Sequence, residues 1–186
     1  VGGMKIDATP LSGLQVILNA AVGDARGRFT RVFCEQELGP IHPNLHFTQI
    51  NLSETRDQGA VRGMHYQLPP SAEAKFIRCL RGRVFDVAVD LRTGSRTFLQ
   101  WHAIELSYDN QRAVFIPEGF AHGFQALTDD VQMLYLHTAP YAPQHEAGVR
   151  HDDPSLAITW PLPVTMLSDR DRGYPSIDDG FMGVRV

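Results

Sequence analysis

The sequence predicts an all-β fold, a jelly-roll barrel with a few short helices. Two observations carry that expectation. Apolar residues recur at a period of two rather than 3.6, and clusters of turn-forming residues interrupt them at short intervals. A chain of 186 residues with 43% hydrophobic content can bury one substantial core, so a single domain over 1–186 is expected. Val1-Gly2-Gly3 ahead of Met4 reads as a cloning remnant.

Taken in order, the best helical candidate is Thr30 to Leu38, stopped by Gly39-Pro40, where glycine suits a helix end and proline blocks continuation. Gln49 and Asn51 alternate on a strand. Further on, Phe85, Val87, Val89 and Leu91 alternate with Asp86, Ala88 and Asp90, a strand pattern. Ala113 to Ile116 is a short apolar strand entering the turn Pro117-Glu118-Gly119. Val131, Met133, Tyr135 and His137 share one face of another strand, with Leu134 and Leu136 on the other. Gly82, Thr93-Gly94-Ser95, Asp109-Asn110 and Thr128-Asp129-Asp130 separate these runs, as in sandwiches and barrels.

The 17 basic and 21 acidic residues give a formal charge of −4 with no block of like charge, which argues against a nucleic-acid partner. No apolar run approaches the roughly 18–20 residues that cross a bilayer, so no membrane partner is expected. The N-terminus lacks a basic-then-apolar signal, and Cys34 and Cys79 read as free thiols of a reducing compartment. A cytoplasmic protein is expected.

Two segments end in histidine: Arg62-Gly63-Met64-His65-Tyr66-Gln67, and Ile116-Pro117-Glu118-Gly119-Phe120-Ala121-His122-Gly123-Phe124. They resemble the two half-motifs of a cupin barrel, where paired histidines normally hold a metal. Here the first reads His65-x-Gln67, and a stretch ending in Lys75 replaces the acidic ligand expected next. A pocket that lacks the metal ligands but keeps histidines and a lysine points to acid–base chemistry without a metal or other cofactor.

The chain resembles the dTDP-4-dehydrorhamnose 3,5-epimerase family, cupin-fold enzymes acting on nucleotide-linked 4-keto-6-deoxy sugars. The matching segments run from Gly23-Asp24-Ala25-Arg26-Gly27 to Ser168-Asp169-Arg170-Asp171. Between them lie Gln49-x-Asn51, the two histidine segments, Ala74-Lys75, the run Gly82 to Arg92, and Trp160-Pro161. The reaction removes a proton beside a ketone and returns one to the opposite face, which needs a base, a holder for the enolate oxygen and an acid. The resemblance gives these roles to His65 with Asp171, to Lys75 and to Tyr135. Taken alone, Asp171 reads as a solvated turn residue and Lys75 as a surface lysine at a strand start. Tyr135 fits a core aromatic equally well, and His65 a packed loop histidine.

By the same resemblance His122, Gln49, Asn51, Tyr141 and Glu146 contact the substrate, and Arg26, Arg62 and Arg170 bind it, diphosphate included; guanidinium forks match phosphate oxygens. The family forms homodimers in which N-terminal strands cross to the partner, so Arg26 would serve the neighbouring site. Three residues depart from the family's pattern, and they are expected at the substrate rim. Arg31 stands in place of a glutamate, Pro140 in place of an aromatic, and His137 where a small or polar residue is usual. They leave the nucleotide, the sugar and the number of inverted centres open. A single-centre epimerase from an antibiotic or heptose pathway has the same chemistry. Gln67 disfavours a metal-dependent cupin oxygenase, and an intact His65, Lys75, Tyr135 and Asp171 set disfavours a non-catalytic sugar-binding cupin.

Overall fold

In a computed structural model, which describes residues 2–42 and 45–186, the alternating segments form two facing antiparallel sheets. The larger has the strand order β1 (Met4–Ala8), β2 (Gln15–Asn19), β10 (Arg112–Ile116), β7 (Lys75–Arg81), β12 (Val131–His137), β5 (Gln49–Thr55). The smaller runs β13 (Glu146–Gly148), β6 (Val61–Gln67), β11 (Phe120–Ala126), β8 (Arg83–Asp90), β9 (Trp101–Ser107). Within these two sheets, among the described residues, only β1–β2 and β8–β9 are neighbours both in space and in sequence. The other pairings join distant parts of the chain, the double-sheet pattern of the jelly roll that the sequence predicts. A separate hairpin, β3 (Ala21–Asp24) with β4 (Gly27–Thr30), stands almost wholly exposed.

The period of two is real, and the two sheets use it differently. In β12, Val131, Met133 and Tyr135 face the layer between the sheets together with Val84, Ala88 and Phe124. Leu134 and Leu136 face outward, against Leu38, Phe76 and Phe115. In β8 the strongly apolar set Phe85, Val87, Val89, with Leu91 beyond it, packs on the outer side beneath Leu156, Ile158 and Trp160 of the C-terminal segment. The interior of β8 is left to Val84, Asp86 and Ala88. A covering segment can bury either face of a strand, so hydropathy marks burial and not direction.

The helix expected over Thr30–Leu38 is shorter. Thr30 closes β4, and only α1 (Glu35–Leu38) is helical. Gly39 stays in the right-handed helical region, and Pro40 sits in the first turn of a 3-10 segment, Gly39–Ile41, where proline's missing N–H costs nothing. A second one-turn helix, α2 (Asp169–Arg172), is capped by the Ser168 hydroxyl, which accepts the Asp171 N–H at 3.1 Å. Cys34 is half-buried, Cys79 is buried, and both are free. Among the described residues, no helix is long and apolar enough to cross a membrane.

Candidate active site

A cavity of about 850 Å³ opens between the sheets, a size suited to a small organic ligand. Its wall draws on β5, β6, β7, β11 and β12 and on the segment 166–171. Strands β6 and β11 pair with His65 opposite His122, so the two histidine motifs deliver both rings to one space.

His65 Nε2 lies 2.6 Å from Asp171 Oδ1, and the other oxygen of Asp171 accepts the Gly63 N–H at 3.1 Å. Asp171 is 2% exposed. Burial raises its pKa, but the His65 bond and charge, the Gly63 amide and Arg170 outweigh that and hold it below the ordinary carboxylate value. An ionised carboxylate only accepts, so the proton it faces sits on Nε2 of the imidazole. In the neutral tautomer this contact selects, Nδ1 of His65 carries the lone pair that can accept a proton. Tyr174 sets its ring edge against the imidazole, with centroids 5.9 Å apart.

The approach of β6 to β11 depends on glycine. Gly63 has φ 128°, and a Cβ there would meet Gly123 Cα at 2.5 Å and the His122 carbonyl oxygen at 2.8 Å. We expect Gly63→Ala to cost ~1–3 kcal/mol. The substitution should also push β6 off Asp171. A lowered melting temperature together with weakened catalysis is the expected result; an unchanged melting curve would remove glycine's role here.

His122 Nε2 lies 2.9 Å from Asp86 Oδ2, and both side chains are buried. Tyr135 comes from the opposite sheet and meets the His122 ring edge-on at 6.0 Å. Burial, with the charge of Asp86, pushes the Tyr135 phenol far above its ordinary value, so it stays protonated at any physiological pH. Lys75, 7% exposed, donates to the His65 carbonyl and faces Glu73 Oε1, each at 3.3 Å.

Other expected contacts divide. Arg62 lines the cavity, with Nε on the Thr55 hydroxyl at 2.9 Å and Nη2 on the Glu54 carbonyl at 2.8 Å. Tyr141, Glu146 and Arg170 form one linked rim: the Tyr141 hydroxyl donates to Glu146 at 2.9 Å, and Arg170 Nη1 meets the same carboxylate at 2.9 Å. Asn51 lines the cavity, but Gln49 does not; its Oε1 accepts the Tyr141 N–H at 2.9 Å and so holds the rim loop. Arg26 is outside this chain's cavity, at the tip of the β3–β4 hairpin, bonded to Asp24.

Nor do the three departures gather at the rim. Arg31 pairs with Glu37, away from the cavity, and Pro140 offers its carbonyl to Gln67. His137 alone lines the cavity, bonded to Glu73. Gln67, standing where a metal ligand would, fastens loops instead: it donates to Ser71 and Pro140 and accepts from Ala142. Among the described residues, no three His, Cys, Asp or Glu side chains are grouped to hold a metal.

Glu73, Asp86 and Tyr174 escape a reading of the sequence. For Asp86 a signal existed: a carboxylate among apolar strand residues is costly unless something pairs with it. Tyr174, in a Gly-Tyr-Pro stretch, carries no such mark.

The family model described as dTDP-4-dehydrorhamnose 3,5-epimerase matches residues 8–179. The chain belongs to this family. A dTDP-4-dehydrorhamnose 3,5-epimerase of Sinorhizobium fredii is 39% identical over 183 residues, 95% of this chain and 94% of that protein. Among solved structures, dTDP-6-deoxy-D-glucose-3,5-epimerase from Legionella pneumophila, in complex with dTDP-4-keto-L-rhamnose, superposes with a TM-score of 0.91 at 37% identity, covering 98% of each chain. A 3'-monoepimerase from Streptomyces bikiniensis, in complex with dTDP-quinovose, gives 0.84 at 34% identity over 90% of this chain and 85% of its own. Membership of the 3,5-epimerase family makes this chain an isomerase with a cupin-like barrel.

Proposed function

We propose that this epimerase acts on a nucleotide-linked 4-keto-6-deoxy sugar of the dTDP-4-dehydro-6-deoxyglucose type, inverting C3, C5 or both through an enolate, without a cofactor. The observation that carries the reading is the pair of proton-handling groups on opposite walls: His65, backed by Asp171, on β6, and a protonated Tyr135 on β12.

In the proposed sequence, His65 Nδ1 takes the proton from the carbon beside the ketone. Asp171 stabilises the imidazolium that results. The electron pair moves onto the carbonyl oxygen, and the Lys75 ammonium holds the charge developing there. Tyr135 then delivers its phenolic proton to the opposite face of that carbon and the carbonyl re-forms; the His65 imidazolium releases its proton to solvent, and solvent returns one to the phenolate. His122, fixed by Asp86, and Asn51 offer hydrogen bonds to the sugar. Arg62 and Arg170 suit the diphosphate, with Tyr141 and Glu146 at the rim.

The Legionella relative's bound ligand supports the substrate class. The likeness to a 3'-monoepimerase supports a second reading, inversion of one centre of a related sugar nucleotide. We take residues 4–186 as one catalytic domain that works in the cytoplasm, where two free cysteines suit a reducing medium. We take the protein to be a homodimer with exchanged N-terminal strands. Exposed Val22 and Phe29 on the hairpin, and Ile50 and Leu52 on edge strand β5, support that assembly, and Arg26 would then reach the partner's cavity.

The test is proton NMR of dTDP-4-keto-6-deoxyglucose in heavy water with the purified protein, before and after exhaustive chelation. Deuterium should enter at C3, C5 or both, with inversion and with no loss of rate on chelation. Absence of exchange would defeat the proposal, and activity lost and restored with a metal would favour an oxygenase-type site.

A further inference from the structure

Three histidines that line the cavity each pair with a carboxylate, and the proposed mechanism uses His65–Asp171 and His122–Asp86. The third is His137–Glu73, with His137 Nδ1 at 2.8 Å from Glu73 Oε2. The other oxygen of Glu73 lies 3.3 Å from Lys75 Nζ. One carboxylate, 9% exposed, thus bridges the enolate-holding lysine and a histidine. The sheet holds this arrangement, because β12 pairs with β7 so that His137 stands opposite Lys75. The His137 ring stacks on Tyr135 at 6.1 Å, and its Nε2 lies 3.3 Å from Asn51 Nδ2.

The chemistry of the three groups constrains what each can do. A buried amine without a counter-charge shifts toward its neutral form, and a neutral amine is a poor partner for an enolate oxygen. A buried carboxylate paired only with the ammonium would hold it fast and compete with the enolate. A second donor on the same carboxylate takes part of that charge. We propose that Glu73 and His137 are positioning residues for Lys75. Glu73 supplies the counter-charge that holds the amine in place, and the His137 N–H draws charge from the carboxylate so that the ammonium can turn to the enolate. The proposal rests on the reading of Lys75 as the group that holds the enolate.

The acidity of Glu73 agrees with this arrangement. Burial raises its pKa, but the His137 bond and the charge of Lys75 outweigh burial and leave it below the ordinary value, so the carboxylate is an anion near neutral pH. The cavity also holds His65 with Asp171, His122, Tyr135 and Arg62, and towards its rim Glu54, Arg56, Asp57, Tyr141, Glu146 and Arg170; Asp86 stands behind His122.

Solvent-deuterium exchange kinetics, read as kcat and KM, test the proposal on the whole enzyme. In Glu73→Gln, Lys75 loses the anion that anchors it, so kcat should fall on the order of tenfold or more. KM should change little. His137→Ala should lower kcat on the order of tenfold, from loss of one charge-assisted hydrogen bond, and His137→Asn, which keeps a donor, should restore most of it. A wild-type kcat in Glu73→Gln, or equal rates in His137→Ala and His137→Asn, would overturn the proposal. Should Glu73→Gln fail to fold, the two His137 variants decide alone. Lys75→Ala separates the two levels: if it exchanges at the wild-type rate, the reading of Lys75 falls and this inference with it. If it abolishes exchange while the other variants behave as wild type, only this inference falls.

Discussion

His65→Ala should abolish solvent-deuterium incorporation into the sugar while the barrel remains folded. Loss of a general base typically lowers rate by ~10²–10⁴. The imidazole is half-buried at a cavity wall rather than in the packed layer between the sheets, so its removal leaves the clusters around Phe124 and Met64 intact. Asp171→Asn should be nearly as damaging, for a reason visible in the geometry. The Gly63 N–H requires an acceptor at position 171, so the asparagine oxygen turns to Gly63 and its NH₂ faces His65. The imidazole must then present a lone pair on Nε2, which leaves Nδ1 protonated and useless as a base. Normal exchange in His65→Ala would mean the base lies elsewhere. The same pair bears on acid stability. The folded pKa of Asp171 is lowered, so its contribution is complete above the ordinary value of 3.8 and is lost as pH falls through the lower folded value.

Tyr135→Phe should separate proton removal from inversion. Phenylalanine keeps the ring against His122 and His137 but removes the only proton Tyr135 can deliver. His65 and Lys75 remain, so the enolate still forms. Its commonest fate becomes return of a proton from the original face by the same imidazolium, after exchange with solvent. Deuterium should therefore enter C3 or C5 faster than inverted sugar appears, whereas wild type links the two closely. NMR in heavy water reads both in one sample. Equal loss of exchange and inversion would assign Tyr135 to binding or packing, and undiminished inversion would eliminate it as the acid.

Much of this site can be read along the chain, and the part that cannot has a physical cause. Strand periodicity is local, so the alternation in 131–137 marked which residues share a face, and the structure sets Tyr135 and His137 together on the cavity side. The histidine segments, Ala74-Lys75 and Ser168 to Asp171 are likewise short stretches, to which the resemblance to the family gave roles. What local pattern does not contain is the partner of each group. The carboxylate that selects the nitrogen of His65 arrives from 106 residues away, and the one that holds His122 from 36 residues back on a neighbouring strand. Hydropathy marked β8 as half-buried but not which half, because the covering C-terminal segment made the outer face the drier one and left the inner face to Asp86. Gln67 kept a ligand's position in the motif, yet its amide is bound by loops that come together only in the fold. His137 read as a rim substitution until the pairing of β12 with β7 brought it to Glu73 beside Lys75. The sequence by itself determined the strand pattern of the barrel, since that follows from spacing, and it marked the cavity residues through their resemblance to the family's motifs. The tertiary structure alone decided protonation, pairing and direction, since these depend on which charges are brought out of water side by side.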